Sequence, residues 1–462
     1  MRTSLREWGL AGIVGAMILL GLLVEGIAGQ VGEPTASEVA GPRFVERAVF
    51  CPPSLSGTKT ILIPSSDSDG PVSIGIEPTR PQRLNLPPKQ LQVQQLPNRE
   101  PADVSGFGER VHSGVLLRTQ SPVAGEAASR CAERAARNWY FAAGSSTLGA
   151  DERLLIYNPF PDEAVVRVSF LTRGAEIRKA SLDDVAVPSR SATFVRINRF
   201  VRLQRVLAAR VVADRGRVVA WKVLFDRPDD GPAGVQMSLG VPRTAATWYF
   251  PEGAIAPGID TRIGIANPDP NVEAMVTVSL STGDEVVQPS DLVEMAIPPA
   301  SARLIPLEFS VPRGQREIGG VSVIVQSTNG TGIVAERTIR YSDGTLSGST
   351  SEMGASIASV RWLVHPATLN PSTDTLVVMN PGGEPATFDV EILREGRDPL
   401  TPGALTDRSI RSGGRLKIGL GEWTAGETAA LLVTSDEPLV VERVSYSSIH
   451  NDVGAIMGIP LS

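Results

Sequence analysis

The chain has few residues of the types that carry most enzyme chemistry. It contains three histidines and two cysteines in 462 residues, and aromatic residues make up 5%. The histidines His112, His365 and His450 are far apart in the sequence, so no Ser-His-Asp arrangement is evident. A Gly-x-Ser-x-Gly elbow and the glycine-rich phosphate-binding patterns are also absent. The sequence therefore predicts no catalytic centre, no metal site and no cofactor.

Net charge and composition also limit the class of protein and its possible partners. The formal net charge is −6, which predicts no basic surface and hence no nucleic-acid partner. The chain has 45 glycines and 36 prolines, a composition typical of an all-β protein with many turns. A single core stops growing near about 250 to 300 residues, so several domains are expected.

The N-terminal residues 1–30 predict a membrane-targeting segment. Arg2 and Arg6 precede an uncharged, mostly apolar stretch over residues 8–24. Its length is at the short end for a transmembrane helix, and small residues follow it, as at a signal-peptide cleavage site. One interpretation is a single-pass cell-membrane protein whose C-terminal region lies outside the cytoplasm. The other is secretion after signal cleavage.

The sequence also contains a repeat. An aromatic tripeptide occurs three times, the last copy altered: Trp139-Tyr140-Phe141, Trp248-Tyr249-Phe250 and Trp362-Leu363-Val364. Each copy is followed after 19, 19 and 18 residues by an asparagine that ends a short apolar run and precedes proline. Asparagine side chains bond nearby backbone in turns and proline cannot continue a central strand, so each Asn-Pro pair should end a strand. Such a period indicates one supersecondary plan used repeatedly.

The repeat defines the predicted domains. Short alternating strands with turn signals between them, and no long amphipathic helix, predict antiparallel two-sheet sandwiches of the immunoglobulin-like class. We name the predicted sandwiches unit 1 (residues 138–246), unit 2 (247–360) and unit 3 (361–462). Residues 44–137, the leading module, lack the aromatic tripeptide and are predicted to be a degenerate β module.

The two cysteines, Cys51 and Cys131, both lie in the leading module. Outside the cytoplasm disulfides persist, so a bridge between them is predicted. Closing a loop of this length would stabilise the fold by about 4 to 5 kcal/mol in the entropic account. Two free buried thiols are the alternative. Two cysteines without a nearby histidine pair do not complete a tetrahedral metal shell.

These motifs also carry a resemblance. Cys51-Pro52-Pro53, Arg130-Cys131 and the strand that ends in Asn158-Pro159 resemble an uncharacterised family of exported actinobacterial proteins, known mainly as a domain of unknown function. The aromatic tripeptide followed by glycine is similar to repeats of bacterial and archaeal cell-surface proteins. The resemblance implies export and a β-rich fold, and it implies no activity.

The tryptophans that open the units allow two interpretations. Trp139 and Trp248 could be exposed platforms on which a sugar stacks. Alternatively, each indole fills the core of its own sandwich, removing about 150 to 250 Å² from water. The core interpretation is favoured because the tripeptide alternates like a strand and because Leu363-Val364 replaces its last two residues in unit 3.

Glu336 and Glu442 occupy equivalent places in units 2 and 3, and each precedes an arginine. A glycosidase needs two opposed carboxylates, but Trp221 stands at the same place in unit 1. Pairing of charges across neighbouring strands is therefore predicted for these residues.

The leading functional hypothesis is a non-catalytic, membrane-anchored envelope protein. It would act as a spacer or as a docking surface for an unknown envelope protein or other envelope component. The alternative is a protein that binds a cell-surface polysaccharide, and a third hypothesis is an enzyme whose site lies between units.

Overall fold

In the computed structural model, the described part of the chain comprises residues 47–77, 82–96, 100–106, 111–228, 231–283, 285–309 and 319–461. Strands account for 59% of the chain and helix for 5%, so the prediction of an all-β antiparallel fold is confirmed. The predicted anchor in residues 1–30 lies outside the described residues. Within the described ranges, no helix has the length and apolar character needed to cross a bilayer.

The leading module has two four-stranded sheets with the orders β1-β6-β3-β4 and β5-β2-β7-β8. Its strands are β1 Arg47–Cys51, β2 Thr58–Ser66, β3 Val72–Glu77, β4 Gln82–Leu86, β5 Gln94–Gln95, β6 Ala102–Gly106, β7 Val111–Thr119 and β8 Gly125–Arg130.

Unit 1 also has two sheets, with the orders β14-β10-β16-β17 and β12-β11-β15-β9, and β13 pairs with β11. Its strands are β9 Asn138–Phe141, β10 Ala150–Asn158, β11 Ala164–Leu171, β12 Glu176–Arg178, β13 Val185–Val187, β14 Ser191–Arg196, β15 Ala208–Arg215, β16 Val219–Asp226 and β17 Gly234–Leu239. Short 3₁₀ turns cover Ala180–Leu182 and Ile197–Arg199.

Unit 2 repeats this arrangement as β24-β20-β27-β28 and β18-β26-β21-β22, with β23 beside β21 and a small sheet of β19 and β25. Its strands are β18 Thr247–Phe250, β19 Ala254–Ile255, β20 Ile259–Asn267, β21 Ala274–Ser281, β22 Val286–Val287, β23 Met295–Ile297, β24 Ser301–Pro306, β25 Gly319–Gly320, β26 Ser322–Ser327, β27 Val334–Ser342 and β28 Ser347–Met353. Its 3₁₀ turns cover Ser290–Leu292 and Leu307–Phe309.

Unit 3 differs because one long strand, β35, takes part in both sheets: it pairs with β29 and β31 through its first half and with β30 and β36 through its second. The strands are β29 Ser359–Val364, β30 Thr373–Met379, β31 Ala386–Arg394, β32 Arg397–Leu400, β33 Arg408–Ile410, β34 Arg415–Gly419, β35 Ala429–Ser447, β36 Asp452–Met457 and β37 Ile459–Pro460. A 3₁₀ turn covers Gly403–Leu405 and a four-residue helix covers Gly421–Thr424.

All four modules share one pairing plan. In unit 1, β9 pairs with β15, which pairs with β11, while β10 pairs with β16, which pairs with β17. The leading module has the same plan, since β1 pairs with β6, which pairs with β3, while β2 pairs with β7, which pairs with β8. The leading module is therefore a fourth copy of the fold, although it lacks the aromatic tripeptide.

The asparagines of the Asn-Pro pairs make the predicted turns. The Asn158 side chain donates to the carbonyl of Asp162 and accepts from the amide of Phe160. Asn267 and Asn380 make the corresponding bonds in units 2 and 3. All three are fully buried, so each side chain replaces the backbone partners that the chain loses where the strand ends.

The modules close into a ring through their last strands. Strand β8 of the leading module packs against β17 and β36, and β28 packs against the same two strands. One buried apolar cluster spans the leading module and unit 1, and a second joins the leading module to unit 3. The sequence predicted successive units but not this closure, which brings the first module against the last.

A single carboxylate lies where the four strands begin. The first residues of β8, β17 and β28 are within one position of Gly125, Gly234 and Gly348, whereas β36 begins with Asp452. Oδ1 of Asp452 accepts from the amides of Ser349 at 3.1 Å and Val453 at 2.9 Å. Oδ2 accepts from the amide of Val235 at 3.1 Å, and the Glu126 amide also donates to this carboxylate. One side chain thus satisfies an amide from every module.

Glycine is required opposite this carboxylate. A Cβ on Gly125 or on Gly348 would lie 2.3 or 2.2 Å from an oxygen of Asp452. Burial raises the pKa of Asp452 well above its usual value, and the amide donors act against that rise.

The cysteines are bridged, and the bridge occupies a position that the other modules fill differently. Cys51 and Cys131 form a disulfide across 80 residues. By strand register they correspond to Phe141 and Gly240 in unit 1, where a Cβ on the glycine would lie 2.7 Å from the phenylalanine ring. Phe250 and Gly354 repeat that contact in unit 2. The disulfide therefore replaces a ring packed on glycine.

We expect Asp452→Gly to lower the free energy of unfolding by about 3 kcal/mol or more, because each buried amide left without an acceptor costs roughly 1 to 3 kcal/mol. Formate in the buffer should restore part of the loss by entering the vacated space. Denaturant unfolding with and without formate measures both effects. The control Asp398→Gly, at an exposed position, should not respond to formate, and an unaffected Asp452→Gly variant would contradict the role of this carboxylate.

The disulfide gives a second prediction. An unreduced, denatured sample should contain no free thiol. Cys51→Phe with Cys131→Gly, which copies unit 1, should keep more of the thermal stability than Cys51→Ser with Cys131→Ser, since the ring refills the space that the sulfurs occupied. Equal melting temperatures for the two double variants would show that a phenylalanine ring on glycine does not replace the packing of the disulfide at this position.

Candidate functional site

The opening tryptophans lie inside the modules. Trp139 is 2% exposed, and Trp248 and Trp362 are each 1% exposed. Their indole N–H groups donate to the carbonyls of Val218, Ile333 and Leu439, respectively. The geometry agrees with the core interpretation and does not agree with the alternative in which Trp139 and Trp248 are sugar-stacking platforms, because neither ring faces solvent.

Glu336 holds the junction between units 1 and 2. Its side chain is fully buried, and it accepts from the backbone amides of Ala142 at 3.0 Å and Ala143 at 2.8 Å. Lys222 of unit 1 donates to it at 2.5 Å, as do the hydroxyls of Ser238 and Ser351. The carboxylate is thus fully occupied by structural contacts.

Glu442 holds the next junction in the same way. It accepts two hydrogen bonds from Arg337 of unit 2, at 2.7 and 2.6 Å, and one from the amide of Glu252. Arg337 and Glu442 are both fully buried. The predicted pairing across neighbouring strands is wrong for Glu336 and Glu442, because they pair with Lys222 and Arg337 of the preceding unit. It does hold for Arg443, which pairs with Asp374 on the neighbouring strand of its own unit.

At the two remaining junctions, the described residues at the corresponding positions form no buried ion pair. At the position of Glu336, unit 1 has the buried Trp221, whose indole donates to the carbonyl of Arg130 in the leading module. The leading module has Gly114 there, and a Cβ on it would lie 2.6 Å from His365 of unit 3. His365 bonds the hydroxyl of Ser65 at 2.8 Å, and burial lowers the pKa of this histidine to about 3.

Beside the Glu336 junction, an open cleft of about 1160 Å³ separates units 1 and 2 at the surface. Its walls come from the loops before β10 and β20, the segment after β14, and strand β27. Residues from both units line it, and they include Ser145, Thr147, Leu148, Arg173, Leu203, Gln204, Arg205, Asp226, Gln236, Ile255, Pro257, Asp260, Arg262, Leu304, Glu308, Thr338 and Arg340.

Most of the acidic side chains in the cleft have arginine partners. Asp226 pairs with Arg340, and Asp260 pairs with Arg262 at 2.6 Å. Two exposed arginines, Arg173 and Arg205, have no acidic partner within the described ranges. The cleft therefore offers free positive charge, while these two carboxylates are neutralised.

The side chain of Glu152 lies buried beneath the wall of the cleft. Glu152 is 1% exposed and accepts from the amide of Ser145 at 2.6 Å. Gly144 covers it, and a Cβ there would lie 2.5 Å from each of its oxygens. Burial raises the pKa of Glu152 to about 7, an effect that Lys222 and the Ser145 amide oppose.

Exposed leucines form the rim. Leu148 is 77% exposed and Leu203 is 67% exposed. Large apolar side chains this exposed commonly mark contacts with another molecule when they are grouped. No aromatic residue is among the described residues that line the cleft, and no group of acidic, histidine or cysteine residues in the described chain could hold a metal ion.

Comparisons with known proteins assign no activity to the chain. Residues 108–316 match the model of a family of unknown function, DUF5719. No curated protein matches the chain. Among solved structures, it is similar to Thermotoga maritima 1070, with 17% identity, a TM-score of 0.20, and coverage of 22% of this chain and 96% of that one.

Two further structures are similar at the same low level. The Anabaena sensory rhodopsin transducer is 16% identical, with a TM-score of 0.17 and coverage of 20% of this chain and 93% of that one. A Streptomyces avermitilis alpha-L-rhamnosidase complexed with L-rhamnose is 10% identical, with a TM-score of 0.14. The match covers 83% of this chain and 55% of that one. Similarities of this size carry no information on activity.

The cleft and its arginines were not predicted from the sequence. The net charge of −6 predicted no basic surface, and that prediction was wrong, because a sum over the chain hides local excess. Arg196, Arg199, Arg202 and Arg205 follow one another at every third position and are all exposed. This spacing was visible in the sequence and could have indicated a basic stripe.

The buried carboxyls predict a pH dependence. Burial raises the pKa of Glu352 to about 8, as it raises that of Glu152 to about 7, from an ordinary value of 4.5. Both hold a proton more tightly in the folded chain, so their contribution to stability is complete below about pH 4.5 and is lost as the pH rises to about 8.

We therefore expect the unfolding free energy to fall between about pH 7.5 and 8.5, because His365, whose ordinary pKa is 6.5, is then almost entirely neutral in the folded and unfolded states. Glu352→Gln should flatten this decline, because glutamine does not titrate. Urea unfolding at several pH values tests this, with Glu427→Gln, a half-exposed residue paired to Arg397, as the control. A wild-type curve parallel to that of Glu352→Gln would be evidence against the raised pKa.

Proposed function

We propose that this protein is a non-catalytic docking platform of the cell envelope and that it binds a partner protein in the cleft between units 1 and 2. The supporting observation is an open cleft whose rim carries two strongly exposed leucines and which includes two exposed arginines, Arg173 and Arg205, without an acidic partner among the described residues. The envelope location comes from the predicted anchor or signal in residues 1–30 and is part of the proposal.

The ring favours docking over spacing. A spacer gains reach when its modules follow one another in a line, whereas here the leading module packs against unit 3. A closed ring spans a shorter distance than the same modules in a line. It also holds its surface loops in fixed positions, which suits a binding surface. The immunoglobulin-like assignment also belongs to this proposal, and the shared pairing plan of the four modules supports it.

The other two hypotheses have less support. A polysaccharide site relies on stacked aromatic rings, but Trp139 and Trp248 are buried and the described lining of the cleft contains no aromatic residue. A glycosidase between units needs two opposed free carboxylates, but Asp226 and Asp260 are held by arginines and Glu336 is occupied by the junction. Among the described lining residues, that leaves Glu308 as the single carboxylate without an ion-pair partner. Glu152 lies beneath the wall and is almost completely covered.

The proposal predicts loss of a partner when the rim becomes charged. Leu148→Glu with Leu203→Glu should leave the melting temperature within a few degrees of wild type, since both side chains are exposed. Crosslinking in the native cells followed by purification should recover a partner protein with the wild type and about tenfold less with the variant. The control Ile449→Glu, at a side chain 75% exposed in unit 3, should keep the partner.

Equal recovery with all three proteins would refute docking at this cleft. A screen of envelope polysaccharides and peptidoglycan should show no turnover by the purified chain. Turnover abolished by Glu152→Gln or by another single carboxylate change would instead establish the enzyme hypothesis.

A further inference from the structure

Unit 1 carries a line of arginines on its surface. Arg196 ends strand β14, Arg199 ends the 3₁₀ turn that follows, and Arg202 and Arg205 lie in the next loop. We call these four residues the arginine stripe. All four are exposed. Arg196 and Arg199 line the same surface pocket of unit 1, so their side chains lie close together.

Most of this charge is unpaired. Arg196 binds Asp151 at 2.7 Å, and Asp151 is shared with Arg153. For Arg199, Arg202 and Arg205, the described part of the chain provides no acidic partner. A surface that served only solubility would be expected to mix positive and negative side chains. Residues 196–205 instead contain four arginines and no acidic residue.

The fold does not require these arginines. By strand register, Arg196 corresponds to Pro306 in unit 2 and Gly419 in unit 3, while Arg199 corresponds to Phe309 and Glu422. Units 2 and 3 thus build the same sandwich without a basic residue at either place. The stripe is a specialisation of one copy, as expected of a binding surface carried by a shared scaffold.

Apolar side chains accompany the stripe. Phe194 is 42% exposed beside its first member, and Leu203 lies between its last two members. Leu203 and Arg205 both line the cleft, together with Leu148. The stripe therefore leads along unit 1 into the cleft, and its surface alternates positive charge with exposed apolar groups.

We infer that the arginine stripe binds an acidic segment of the docked partner whose apolar side chains contact Phe194, Leu203 and Leu148. This inference rests on the proposed function and identifies the chemistry of the partner. Acidic side chains of this segment would pair with Arg199, Arg202 and Arg205, which are exposed and have no acidic partner among the described residues. A phosphate or sugar polymer would leave the apolar groups without contacts.

The experiment measures binding of labelled ligands to the full chain in a neutral detergent by fluorescence anisotropy. The probes are a short peptide that alternates glutamate with valine, a matched peptide that alternates glutamate with serine, and polyphosphate. We expect the glutamate-valine peptide to bind most tightly and to weaken as salt is added, because surface charges are screened.

Variants assign the effect to the stripe. Arg199→Gln, Arg202→Gln and Arg205→Gln combined should weaken the glutamate-valine peptide about tenfold. Leu148→Ser with Leu203→Ser should remove its advantage over the glutamate-serine peptide. The control combines Arg303→Gln, Arg397→Gln and Arg408→Gln in units 2 and 3 and should bind as wild type does.

Three outcomes would overturn the inference: unchanged binding by the stripe variant, equal loss in the control, or polyphosphate binding more tightly than either peptide through the stripe. If the peptides fail to bind while Leu148→Glu with Leu203→Glu still loses its cellular partner, this inference fails and the docking function stands. If the cellular partner is also kept by that variant, the docking function itself fails.

Discussion

Ring closure depends on charges that are buried where modules meet. Asp452 accepts hydrogen bonds from amides of all four modules, and Glu336 and Glu442 each receive a cation from the preceding unit. A buried charge that loses its partner costs several kcal/mol. Each module therefore keeps its neighbour in register, and a partly assembled ring would leave these groups uncompensated. The contact with Asp452 explains the glycines at positions 125 and 348, since a Cβ at either would collide with the carboxylate.

The four junctions differ although the modules share a fold. Two use a buried ion pair, one uses Trp221, and one places His365 over Gly114. If the modules exchanged places, an acid or a cation would face an apolar neighbour and remain unpaired. Such mismatches select one arrangement against its alternatives. The differences at one repeated position therefore encode the cyclic order of the modules, which identical repeats could not do.

The surface of unit 1 shows a division between scaffold and function. Its core tryptophan, turn asparagine and pairing plan recur in unit 2, whereas the arginine stripe and the exposed Leu148 and Leu203 do not. Loops tolerate such change because they contribute little to the core. The cleft combines these elements, which differ between units, with a wall supported by the buried Glu152.

The sequence alone determined the features that depend on nearby residues. Alternation predicted the strands, the Asn-Pro pairs predicted their ends, and the repeated tryptophans predicted a core in each unit, because these effects act over a few residues. Tertiary structure decided the rest. Lys222 meets Glu336 across 114 residues, and Val235 meets Asp452 across 217. No local sequence pattern specifies such pairs. Many cations and backbone amides in the chain could donate to a given carboxylate, and only the tertiary fold decides which of them lies within hydrogen-bond distance. The cleft likewise exists only because residues of two units, distant in the sequence, come together.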